Sequence, residues 1–172
     1  FQSHAKALDV GCAVGASTFV LGKYFGEVLG IDYSQNFIDT AKKLAVDKSM
    51  HYFYHEEGEL FLEADAKPAD YKGRISFQVG DAMDLSSSLE GYDLVHAANL
   101  ICRLPEPKKF LDRLPSLVKQ GGSLILATPF TWLEEYTPRN KWLGSGDSKE
   151  KLEELLSPKF KLEYEEDLPF LI

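Results

Sequence analysis

Asp9-Val10-Gly11-Cys12-Ala13-Val14-Gly15 places a carboxylate two residues before the first of two glycines spaced four apart. Glycine at both positions lets the chain turn sharply and lets a ligand come against bare main chain. Near Ser17 a helix opens, and its unpaired N–H groups face the same place. A second carboxylate, Asp32, with Tyr33 beside it, closes the apolar run Val28-Leu29-Gly30-Ile31 about 20 residues further on. From such a strand end an acid accepts both hydroxyls of a ribose. A dinucleotide would call for G-x-G-x-x-G, bringing backbone against a pyrophosphate, whereas this turn reads G-x-x-x-G. The chemistry so specified is recognition of an adenosyl group without phosphates.

Holding these residues requires alternating strands and helices, and the periodicity supplies them. Strand one is expected over Ala5–Val10, a helix over Ser17–Phe25, and strand two over Glu27–Ile31. Ser34 caps the next helix, whose Phe37, Ile38, Ala41 and Leu44 form one stripe. Strand three is Arg74–Val79 and strand four Tyr92–Ala97, the latter nearly all apolar as a central parallel strand should be. A helix over Pro107–Val118, ended by Gly121-Gly122, leads to strand five at Ser123–Thr128. A further helix over Ser148–Leu156 and a sixth strand over Phe160–Glu166 complete a doubly wound α/β domain. One segment breaks the alternation: Met50–Ala64 reads as a β-hairpin turning near Glu57-Gly58. Its aromatic residues make it a candidate lid over a substrate.

The D-x-G-x-x-x-G turn followed by I-D resembles the first motif of class I S-adenosylmethionine (SAM) methyltransferases. That resemblance implies a Rossmann-like sheet with helices on both faces and a seventh, antiparallel strand, which the chain stops short of. It also implies a set of cofactor-binding residues: Asp9, Gly11, Cys12, Gly15, Asp32, Tyr33, Asp81, Ala82 and Asn99. Asp81 would meet the adenine amino group, with the Ala82 N–H offered to a ring nitrogen. The Asn99 carbonyl groups would hold the methionine ammonium, which Asp9 orients directly or through water. Methyl transfer is an in-line displacement, so a protein has chiefly to align the nucleophile and exclude water. Tyr54, His55 and Asn99 are the positioning candidates, and no catalytic residue is assigned.

Composition bounds the alternatives. The 172 residues are 44% hydrophobic and 12% aromatic, which argues for a globular domain with a core. Nineteen basic and 27 acidic residues give a net charge of −8, which disfavours a nucleic-acid partner. The two cysteines, Cys12 and Cys102, lie far apart with no metal-ligand spacing, as expected of free thiols in a cytoplasmic protein. Neither a membrane-spanning run nor a metal-binding motif stands out. The four histidines, His4, His51, His55 and His96, do not cluster, and each alone reads more readily as structural than as catalytic.

Further blocks carry a narrower resemblance. Gly91–Leu104, the run Thr128-Pro129-Phe130-Thr131-Trp132-Leu133-Glu134-Glu135-Tyr136-Thr137-Pro138-Arg139-Asn140-Lys141-Trp142-Leu143-Gly144, and Glu56–Leu60 are similar to the 5-thiohistidine N-methyltransferase family of ovothiol biosynthesis. The similarity runs from about Ala5 to Phe170. It implies methylation of the π imidazole nitrogen of a small-molecule thiohistidine, and a domain fused to, or working with, a sulfoxide synthase. Arg103, Trp132, Tyr136, Arg139 and Trp142 are the candidate substrate contacts, since aromatic faces and a forked guanidinium suit an imidazole and a carboxylate. Two other classes share the βαβ start: a nicotinamide oxidoreductase, and a non-catalytic SAM-fold module of a bifunctional enzyme.

Overall fold

The computed structural model describes residues 2–169. In chain order these form β1 (Gln2–Val10), α1 (Ala16–Leu21), β2 (Phe25–Asp32), α2 (Gln35–Asp47), β3 (Met50–Glu57), β4 (Leu60–Ala66), β5 (Arg74–Val79), β6 (Tyr92–Ala98), α3 (Pro107–Leu117), β7 (Val118–Ala127) and α4 (Ser148–Leu156). Five strands make a parallel sheet ordered β5-β2-β1-β6-β7. The chain winds outward from β1 to β5, then crosses back to β6 beside β1, so the direction of winding reverses between those two strands. In open α/β sheets a ligand sits at that switch, outside the carboxyl ends of the strands.

Successive side chains along each strand point to opposite faces, and the helices cover both. Leu8 and Val10 of β1 join Val95 and Ala97 of β6 in one core with Phe110, Leu111 and Leu114 of α3, while Leu152 and Leu156 of α4 pack against it. On the opposite face Phe19 of α1 and Ile38, Ala41 and Leu44 of α2 close over Phe77 of β5 and Cys12. Each large side chain so buried contributes about 1.5–3 kcal/mol. The hydroxyl of Ser34 accepts the Phe37 N–H and so starts α2 at the expected place.

Three expectations are corrected. The first helix spans only Ala16–Leu21: Gly22 caps it, where a side chain would run into Ile75 and Tyr71, and Phe25 already belongs to β2. Gly121-Gly122 do not end the helix before strand five: α3 stops at Leu117, and both glycines lie within β7, where Gly121 takes a φ of +76°. Phe160–Glu166 forms no strand, since an alternating segment becomes one only when a neighbour bonds its backbone; Leu162 and Tyr164 stay exposed.

The hairpin exists, with β3 and β4 antiparallel and the turn at Gly58-Glu59. Its location differs from what a lid requires. Helix α2 starts at the carboxyl end of β2 and runs back, so β3 leaves from the amino edge of the sheet and β4 leads into the amino end of β5. Residues 51–63 are all exposed.

Candidate functional site

At the carboxyl edge the turn after β1 is pinned from beneath. The N–H groups of Gly11 and Cys12 both donate to the carbonyl of Ile31, at 2.8 and 3.0 Å, which folds the turn back onto β2. Gly11 and Gly15 have φ of +77° and +90°, the left-handed region that a side chain resists. A Cβ at Gly15 would lie 2.7 Å from the Phe77 ring, so both backbone and space demand glycine there.

Asp32 ties the turn to the second strand. One carboxylate oxygen accepts the Ala13 N–H at 2.8 Å and the other accepts the Ser34 N–H at 2.9 Å. Each oxygen keeps a further lone pair, and the side chain is half-buried, so the group remains open to hydroxyl donors. Asp81 is built similarly, its Oδ1 accepting the Met83 N–H at 2.8 Å, with Ala82 buried behind it. Tyr33 stands out from the same edge, 80% exposed.

Ala13, Asn99 and Phe130 all take positive φ, of 47°, 54° and 51°, although none is glycine. They follow β1, β6 and β7 respectively, so three strained residues ring the carboxyl edge on either side of the switch. Such conformations persist where surrounding structure enforces them, and they gather at ligand sites. The Asn99 N–H donates to the Ala127 carbonyl at 2.8 Å, fixing the end of β6 to β7.

Asp9 has another task than the one expected of it. It is 1% exposed and its oxygens are both engaged: Oδ2 accepts the Thr18 hydroxyl at 2.6 Å, and Oδ1 pairs with Nδ1 of His96 at 2.7 Å. Its burial, which Asp32 does not share, keeps it from touching a ligand directly, and its two bonds hold α1 and β6 around the turn. Neither Thr18 nor His96 was singled out by the motif. One signal existed for His96, a lone imidazole in a mostly apolar strand, and the register sets it directly beside Asp9. Cys12 is packed under the turn, where burial and then the charges of Asp9 and Asp32 push its thiol up to about 12, so it is no nucleophile.

The residues expected to meet substrate divide. Arg103 donates to the Thr131 carbonyl at 2.8 Å and lies over the Tyr136 ring, 5.1 Å from its centre, so this pair joins the segment after β6 to the loop after β7. The indole N–H of Trp132 is spent on Ser148 at 2.9 Å and that of Trp142 on the Thr137 carbonyl at 2.8 Å. Trp132 thus fastens the loop after β7 to α4, Trp142 braces the loop on itself, and the buried Thr137 hydroxyl ties it to the body by donating to the Leu104 carbonyl. Arg139 pairs with Glu134 at 3.0 Å and lies over Trp142. Tyr54 and His55 are not brought to this edge; they ride on the exposed hairpin, where His55 Nε2 is 2.6 Å from the Gly58 carbonyl. Among the described residues no group of His, Cys, Asp and Glu is arranged to hold a metal ion, and no helix is long and apolar enough to cross a membrane.

A nucleoside with an amino-acid arm fits what stands here: bare main chain at Gly11, carboxylates at Asp32 and Asp81, and a floor of strained backbone. Residues 8–126 match the methyltransferase domain family, and the chain belongs to it. The domain is of the class I type, and its cofactor is S-adenosylmethionine. The chain is 26% identical over 121 residues to a ubiquinone biosynthesis O-methyltransferase of Coxiella burnetii, covering 70% of this chain and 42% of that one. It is 29% identical over 124 residues to the chloroplastic tocopherol O-methyltransferase of Arabidopsis thaliana, covering 72% and 30%. The YcgJ protein of Bacillus subtilis shares the fold, with a TM-score of 0.55 at 18% identity over 73% of this chain and 44% of that one. The chain thus spans less than half the length of these curated relatives.

Proposed function

We propose that this domain transfers a methyl group from SAM to a small-molecule acceptor, and that the acceptor is the imidazole of 5-thiohistidine. The ring of strained backbone at Ala13, Asn99 and Phe130, with Asp32 open beside it, carries the cofactor half of the reading. SAM supplies a methyl group already activated by a positive sulfur. Asp32 accepts the ribose hydroxyls, Asp81 takes the adenine amino group, and the turn from Gly11 to Ala13 lets the nucleoside lie against main chain. Asn99 and the Arg103–Tyr136 pair then align the acceptor and keep water from the line of attack. A thiohistidine thiol is largely ionised at neutral pH, so the transfer needs no strong base.

The acceptor reading is supported by the Thr131–Gly144 sequence block and by the apolar and cationic surface that Tyr136 and Arg103 present. The two curated relatives described above are O-methyltransferases, which makes the choice of acceptor the thing to test. Purified protein with SAM should methylate 5-thiohistidine, histidine poorly, and a catechol not at all, read as S-adenosylhomocysteine formed. Arg103→Lys keeps the charge and loses the fork, so KM for thiohistidine should rise while SAM affinity holds. SAM binding in calorimetry with turnover only on the catechol would overturn the acceptor and leave the methyltransferase reading standing. Absence of SAM binding would overturn both.

A further inference from the structure

The β3–β4 hairpin is left with nothing to do by the site at the opposite edge. A two-stranded ribbon is at best marginally stable alone in water, and here it carries aromatic side chains on both faces. Tyr52 and Tyr54 sit side by side on one face, ring centres 6.2 Å apart; Phe53 packs edge-on against His51 on the other, at 5.2 Å. Phe53 is 61% exposed, Tyr52 44% and Tyr54 40%.

The two free edges of the ribbon differ. Along β4 stand Glu63 and Asp65, with Glu59 just before the strand, and inserting charge is how sheets protect an edge from other chains. Along β3 no acid occurs from Met50 to His55, so a row of unpaired N–H and C=O groups lies open between side chains that include no carboxylate, lysine or arginine. The register irregularity begins only after His55, leaving that stretch regular. Its central five residues, His51-Tyr52-Phe53-Tyr54-His55, read the same in both directions.

We infer that β3 pairs antiparallel with β3 of a second copy of this chain, about a two-fold axis through Phe53, making one four-stranded sheet from two hairpins. The palindrome makes the edge self-complementary: Phe53 meets Phe53 of the second copy, Tyr52 meets Tyr54, and His51 meets His55. Aromatic cross-strand pairs of this kind are among those that stabilise sheets. Charge agrees, because in this register Glu56 falls opposite Met50 and Glu57 opposite Ser49, so no two carboxylates meet. Pairing through β4 about Glu63 would instead set that acid against its own copy. A single added strand gives an interface at the small end of stable ones, so dissociation on the order of micromolar is expected.

Sedimentation velocity over a concentration series tests the pairing, and cysteine replacement tests its register. The chain should pass from one to two copies as concentration rises, and Phe53→Lys should hold it at one copy throughout. Directly opposed residues of an antiparallel pair have Cα atoms about 4.5–5.5 Å apart, a span that a disulfide closes. Under mild oxidation Phe53→Cys should therefore form a covalent dimer and Phe61→Cys on β4 should not. The natural Cys12 and Cys102 are buried and do not interfere. Phe53 and Phe61 are both exposed, so these changes leave the core intact, which circular dichroism verifies. A chain that stays single at all concentrations, a dimer that persists in Phe53→Lys, or cross-linking through Phe61→Cys in preference to Phe53→Cys would each overturn the inference.

Discussion

The turn after β1 and the β3–β4 hairpin are opposite in construction. The turn is held by groups distant in sequence: Asp32 fastens Ala13, and Asp9 draws Thr18 and His96 together out of water. The hairpin is held by its own ladder and by neighbours on the same two strands, such as His51 with Asp65 at 3.2 Å. Burial makes the difference. A hydrogen bond deep in the fold cannot be replaced by water, so losing one partner strands the other, whereas an exposed pair exchanges freely with solvent.

If that contrast is right, perturbations should rank by depth. Asp9→Ala leaves the Thr18 hydroxyl and the His96 imidazole without their acceptor and should lower stability by about 3 kcal/mol in urea unfolding. A loss below about 1 kcal/mol would show the turn to be no better braced than the hairpin. Asp32→Ala should weaken SAM by about 1.5–3 kcal/mol in calorimetry, the scale of a charge-assisted hydrogen bond. Unchanged affinity would remove Asp32 from the site.

Cys12 sharpens the comparison through pH. Its thiol is raised from 9.0 to about 12 in the folded protein, so above pH 9 the unfolded chain releases this proton first. The contribution is fully present below pH 9 and is lost as pH rises towards 12, by at most about 1.4 kcal/mol per pH unit. The stability difference between wild type and Cys12→Ala should therefore narrow between pH 9 and 11, and a constant difference would contradict the burial. Smallest of all, Leu60→Ser and Phe61→Ser on the hairpin should change the unfolding free energy of the single chain by no more than about 0.5 kcal/mol. A larger loss would mean that the hairpin packs against the body.

Much of the sheet and of the candidate site was legible in the chain. The apolar runs that became β1, β2, β5 and β6 are local signals, as are the glycines of the turn and the acids Asp32 and Asp81 at strand ends. The substrate residues were less so. Trp132 and Trp142 have the right types for an imidazole, yet their N–H groups found Ser148 and the Thr137 carbonyl, partners that no local pattern marks. The hairpin itself was legible from its alternation and its glycine, but its distance from the site was not.

By itself, then, the order of residues determined the parallel α/β architecture, the nucleoside-type turn and the existence of the hairpin, because strand, helix and turn preferences act over a few neighbouring residues. Tertiary structure alone decided that Asp9 is buried between Thr18 and His96, since that depends on β1 and β6 lying in register across 87 residues of chain. It also decided that Tyr54 and His55 stand at the wrong edge, because the direction of α2 carries the chain away from the site before the hairpin begins. And it denied Phe160–Glu166 a strand, since a strand needs a backbone partner that no alternation of side chains can provide.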